Sequence, residues 1–313
     1  MSISSEIERL QKAKKDIGDA IVRKGGSVSG TIDTYAKSVM ALGDVSFRTA
    51  IDIVNKSDAK NVDLTMISPS NEASLKELFY KNTNLINVNA THWDTSKVTS
   101  LRSMFGNCTS LETVEFADWD VSNVTSFFAL FDACLNLKNI DVSKWNTSSA
   151  IEMGWMFSTN DLKHLDVSNF NTSKVTGMYA MFNRSKSLTQ LDISNFDTSN
   201  VLNFANAFSN WTNVCEELNI SGLNLSNVTL IDRAFLRSSF KVIRCDELIL
   251  PNIDMSNIGL NDSTALTVDS IVGLLNALPQ SDKGYSFQIG ATNIAKLTDE
   301  QKAIATDKGW TLI

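Results

Sequence analysis

The sequence predicts an α/β solenoid with a helical segment before it and a cap after it. Three observations carry that prediction: a phenylalanine that recurs in phase, a leucine-led strand pattern tied to it, and a polar composition with few charges. Phe79, Phe105, Phe131, Phe157, Phe182, Phe208 and Phe235 follow one another at intervals of 25–27 residues. A unit of that size cannot bury its own apolar side, so about seven copies must stack, and each recurring position becomes a ladder.

Each element of the repeat follows from its residue types. Leu85, Leu111, Leu137, Leu162 and Leu188 open an L-x-x-L-x-V pattern, as in Leu137/Ile140/Val142 and Leu188/Leu191/Ile193. Its alternation predicts a short strand, and stacked copies predict a parallel sheet. The segment ending in Met104-Phe105 or Met181-Phe182 reads as one or two helical turns with the Phe inward. Trp93, Trp119, Trp145, Phe170, Phe196 and Leu223 form a second apolar ladder, expected in the core. Polar boxes such as Asp94-Thr95-Ser96 and Asn171-Thr172-Ser173 predict turns. They explain why Ser, Thr and Asn number 92 of 313 residues. No proline lies between Pro69 and Pro251, as uninterrupted ladder bonds require.

Residues 1–44 contain no asparagine and read as a helical hairpin for anchoring or oligomerisation, with helices over about 5–24 and 31–42. Residues 45–74 form a small β unit and N-terminal cap, with β-like runs at Phe47–Val54 and Asn61–Ile67. The solenoid spans 75–260. Residues 261–313 are an α/β cap: helices over 267–278 and Asp299–Lys308, strands at Tyr285–Ile289 and Trp310–Ile313.

Composition narrows function. A net charge of −7 excludes a binder that works by neutralising phosphates, so nucleic acid is not an expected partner. No apolar run is long enough to span a membrane, and the N-terminus lacks the apolar core of a secretion signal. Two His and four Cys predict neither a zinc site nor a disulfide scaffold. Cys108 and Cys134 share one repeat position and are expected to be neighbours, buried and unbridged. There is no G-x-S-x-G elbow, P-loop or H-E-x-x-H, so no catalytic residue and no cofactor is predicted.

The candidate binding face is the outward side of the strands. Glu115, Asp141, Asp166 and Asp192 make an acidic ladder, and Thr113, Asn139, His164 and Gln190 a varied one beside it. Like charges one rung apart repel unless they are paired or bound to a cation such as Ca²⁺. The simpler expectation is that Ser143, Ser168 and Ser194 hydrogen-bond the carboxylates.

The run LDVSNFNTSKVTGMYAMFNRSKSLTQLDISNFDTSNV resembles the BspA-type leucine-rich repeats of bacterial surface proteins, and LTDEQKAIATDKGWTLI resembles the tail that follows such repeats. The resemblance implies a leucine-rich-repeat solenoid used for binding. The segment EIERLQKAKKDIGDAIVRKGGSVSGTIDTYAKSV resembles the opening of bacteriophage tail-fibre and baseplate proteins. Together these imply a non-enzymatic virion structural protein made in the host bacterial cytoplasm. Its helices would hold other virion proteins in a larger assembly, and its solenoid would face a virion protein or a host cell-surface glycan or protein. A bacterial surface adhesin of the BspA-like class is the alternative.

Overall fold

The computed structural model describes residues 46–65, 67–116 and 118–313. The helical hairpin expected over 1–44 lies outside the described residues. The described chain is a parallel β-solenoid of about ten turns, with helices only at its ends.

The coil begins with helix α1, Phe47–Asn55, not with a strand. Its apolar residues Phe47, Ala50, Ile51 and Val54 fall at helical spacing and cover the first rung. Ser46 caps it, accepting from the Thr49 N–H at 3.3 Å. The β-branched residues suggest a strand locally, but burial of one helical face decides the outcome. Among the described residues of the second expected run, Asn61–Asp63 is a strand, β1.

Two faces then recur. On the strand face, β1, β2 (Asn87–Asn89) and β3 (Thr113–Glu115) pair in parallel, Asn61 with Asn87 and Asn87 with Thr113. A second parallel sheet contains β4 (Gln190–Asp192), β5 (Val214–Asn219) and β6 (Ser239–Arg244). The insertions near 215 and 241, which interrupt the repeat phase in the sequence, produce these two longest strands.

The other face corrects the expectation of short helices. Leu75, Glu77, Phe79 and Lys81 donate their N–H groups to Ser100, Arg102, Met104 and Gly106 of the next rung, at 2.8–2.9 Å. The amides between them close turns within the rung, Leu78 to Leu75 and Asn82 to Phe79. Glu77 and Lys81 have φ of +57° and +62°, at the third position of these turns, where a type II turn needs positive φ. An α-helix would spend every N–H on its own carbonyls. Stacked turns share them with the neighbouring rung, which suits a repeat that must bind its copies.

This turn face is continuous. Bridges run from Ser74 through Ser100, Ser126, Glu152, Gly177 and Asn203 to Leu230. Phe235 then donates to the Ile258 carbonyl, Ile258 standing where Met104 and Ala234 stand in earlier rungs, so the ladder continues past the last Phe. Met255 bridges Phe287, and β7 (Ser286–Phe287) pairs with β8 (Thr311–Leu312). The ladder therefore extends through the cap, and the seven Phe-phased copies undercount the coil.

The cap is otherwise as the sequence predicts. Helix α2, Val268–Asn276, is capped by Thr267, and its N-terminal end lies on β6, where the Thr267 N–H bonds Lys241 and the Ser270 hydroxyl accepts from Ile243. After the short α3, Ala291–Ile294, helix α4, Asp299–Thr306, starts with a Thr298/Gln301 capping box.

The core is two aromatic columns. Successive phenylalanines of the Phe79–Phe235 series stack at 5.3–6.3 Å between ring centroids. Trp93, Trp119, Trp145, Phe170 and Phe196 are buried as expected, and Trp93 stacks on Trp119 at 5.6 Å. Thr95, Thr147, Thr172 and Thr198 bury hydroxyls that donate to the next rung's carbonyls at 2.9–3.0 Å. Asn123, Asn200 and Asn227 reach back to serine carbonyls at 2.7–2.9 Å. The polar composition is thus the stitching between rungs.

Candidate functional site

The eight predicted site residues do share the strand face. Thr113 and Glu115 lie on β3, Gln190 and Asp192 on β4. Asn139, Asp141, His164 and Asp166 are exposed on the two rungs between, where no strand forms. Asp141 accepts from Ser143 N–H at 3.1 Å and hydroxyl at 2.6 Å. Asp166 accepts from Ser168 N–H and Asp192 from Ser194 N–H. The serine bonds hold the Asp141 and Asp166 carboxyls below the usual range, against repulsion between the two. Asp192 is also lowered; burial opposes this, but Ser194 and the Asn219 amide, 3.1 Å away, outweigh it.

The interruption has two physical sources. Where the ladder is intact, neutral partners bond across rungs: the Asn87 amide donates to Asn61 and the Thr113 hydroxyl to Asn87, both at 2.6 Å. Where it lapses, Asp141 and Asp166 face each other, and like charges opposite one another weaken a sheet. Phe116 adds bulk where the preceding rung has Ala90, wedging between Trp119 and Trp145 at 5.4 and 4.9 Å. In these rungs Ile140 and Leu165 are only half-buried, whereas Val114 and Leu191 are buried.

A shallow depression of about 150 Å³ lies over β1–β3, lined in part by Thr113 and Glu115. Among the described residues, no group of three or more His, Cys, Asp or Glu is placed to hold a metal ion. His164 is exposed. His92 lies 2.9 Å from Asp118 on the surface.

The cysteines are structural. Cys108 and Cys134 are buried and unbridged, and their thiols donate to the Phe79 and Phe105 carbonyls at 3.0 and 3.1 Å. Ser185 does the same for Phe157. Burial pushes the Cys108 thiol up to about 12 and raises Cys134 as well, which keeps both unreactive.

The residues overlooked in the sequence are outward-facing members of the turn face. Phe128, Trp155 and Tyr179 occupy three successive rungs and are half-buried. The Arg102 guanidinium lies 4.1 Å above the Phe128 ring, and Trp155 meets Tyr179 edge-on at 5.4 Å. Beyond them, Leu135, Thr159, Arg184, Lys186, Asn210 and Thr212 line a cleft of about 370 Å³. Reading the segment as a helix conceals this face, because it does not say which residues meet across rungs. Counting back from the recurring Phe would reveal it, since Phe128 and Tyr179 stand three residues before it and Trp155 two.

Fold and surface together define a repeat protein whose recurring polar residues serve its own coil. The family described as "Mycoplasma protein of unknown function, DUF285" matches residues 49–165, 73–190 and 136–243, overlapping stretches that together cover more than half of the chain. The chain belongs to that family. No curated protein and no solved structure matches it. Among the described residues, no helix is long and apolar enough to cross a membrane.

Proposed function

We propose that the chain is a non-enzymatic structural protein of a bacteriophage virion. It displays a BspA-type leucine-rich solenoid as a stiff lateral binding surface and joins other virion proteins through residues 1–44. The observation that carries the binding role is the division of labour among polar groups. The buried threonines and the asparagine column are committed to rung-to-rung bonds, while the outward ladder of Thr113, Asn139, His164 and Gln190 varies from rung to rung, as recognition surfaces do. The inward leucines and valines of the L-x-x-L-x-V pattern support the leucine-rich assignment.

Deleting residues 1–44 is expected to leave a folded solenoid that no longer enters particles, measured by mass spectrometry of purified virions. Normal incorporation of the truncated protein contradicts the anchor. The resemblance of the repeats to the BspA-type repeats of bacterial surface proteins carries a second reading, a bacterial surface adhesin. Antibody labelling of intact expressing cells, with no protein in particles, would select it.

A further inference from the structure

The cleft beyond the aromatic residues of the turn face is lined by cations in an otherwise acidic chain. Two exposed cations, Arg184 and Lys186, line it, and no carboxylate does. Some other cations are matched, as in Arg48–Glu72, Lys241–Glu216 and Arg244–Glu217; what marks this pair is that both line one cleft. The nearby carboxylates are engaged: Asp132, which the Arg184 charge reaches, is bonded by Ser158, and Asp161 accepts the Ser187 hydroxyl. Thr159, Arg184 and Asn210 occupy the same left-handed position of successive rungs, with φ of +55°, +58° and +63°. Their side chains therefore stand in one column. Thr159, Asn210 and Thr212 add donors and acceptors, and exposed Leu135 an apolar patch. The volume, about 370 Å³, suits a small ligand or one unit of a longer one.

A second observation lies on the same rungs. Trp155 precedes Thr159 within one run of turns, and Tyr179 precedes Arg184 within the next. Their rings are half-buried, with polar edges available, the arrangement used at surfaces that meet a partly apolar, partly wet ligand. Gly154 makes room for this shelf. A Cβ there would come within 3.1 Å of the Tyr179 carbonyl and 3.4 Å of the Phe128 ring.

Cations and amides in the cleft select an anionic, hydroxyl-rich unit, and an aromatic shelf beside them favours a ring with an apolar face. We propose that this corner binds an acidic glycan, its anionic group held by Arg184 and Lys186 and its neighbouring sugar rings packed on Trp155 and Tyr179. This rests on the reading of the solenoid as a binding array and assigns the ligand class.

The test is calorimetric titration of the full chain with tetragalacturonate, the neutral galactose tetramer and inorganic sulfate. Tetragalacturonate is expected to bind, more weakly at high salt, and more tightly than either control. R184Q/K186Q is expected to lose about tenfold or more, the weight of one charge-assisted hydrogen bond. W155A should weaken the acidic tetramer and leave sulfate unchanged. Arg184 and Lys186 are exposed and Trp155 is half-buried, and thermal melts verify that the variants fold. Absence of tetragalacturonate binding, equal binding of the neutral tetramer, or unchanged affinity in R184Q/K186Q overturns the proposal. Incorporation of the same variants into particles reports on the virion reading separately.

Discussion

The turn face and the strand face are built by the same rungs, yet one is continuous and the other is not. Hydrogen bonds cross every rung of the turn face from Ser74 to the cap. The strand face pairs at both ends and lapses over two rungs between β3 and β4. The difference lies in what touches between rungs. Stacked phenylalanines and backbone bonds repeat without conflict on one face. On the other, carboxylates meet carboxylates, and Phe116 stands where Ala90 stood.

The largest test of this contrast compares core truncations. Phe131 is buried, with rings at 5.6 and 6.3 Å on either side, and Phe131→Ala is expected to cost about 3–5 kcal/mol in denaturant unfolding. Ile140→Ala, half-buried at the lapse, should cost less than half as much. Equal costs would erase the distinction between the faces. Next comes the stitching. Thr172→Val removes a buried hydroxyl that donates to Asp197 at 2.9 Å, at an expected cost of about 1 kcal/mol. The fold itself accepts Val121 at the equivalent position, so the variant should remain native.

Acid should act on the two faces with opposite sign. On the strand face, Asp141 and Asp166 are lowered by their serine bonds. Their contribution is complete above the unfolded value of about 3.9 and is lost as pH falls through the depressed folded value. On the turn face, burial raises Asp132 and Glu152. Those groups favour the fold when protonated, so their contribution declines as pH rises through the raised values. Substituting Asp132 and Glu152 with Asn and Gln should therefore flatten stability above pH 4, whereas Asp141→Asn should flatten the acid limb. The smallest effect is that of Asp141→Asn at neutral pH. It keeps the serine-bonded turn, which Asn146 and Asn171 form with Ser148 and Ser173, and removes the repulsion. A change of no more than a few tenths of a kcal/mol is expected for so exposed a charge. A loss above 1 kcal/mol would show that the carboxylate is needed where it stands.

Much of this fold is legible in the residues. The phase of the Phe series, the inward leucines, the Trp ladder and the order of elements in the cap follow from periodicity and capping, which are local. In Phe47–Asn55 the β-branched residues speak for extension, and only burial against the first rung chooses a helix instead. The stacked turns resemble helices in sequence because a repeat with inward Met and Phe fits both. What separates them is the destination of the amides, a bond to another rung that no local pattern records. Alternation alone is enough to place the acidic ladder on one face. The aromatic and cationic corner escapes such reasoning because its members are defined by register between rungs.

The central claim is that the turn face is the unbroken spine of the coil. Amide hydrogen exchange measures it directly, since exchange follows local opening. The account predicts that Phe127, Ala129 and Phe131, whose amides bond Glu152, Gly154 and Met156, exchange only on global unfolding. Asn139–Asp141 and His164–Asp166 should exchange much faster. Equal protection of the two sets, or faster exchange at Phe127–Phe131, would contradict it.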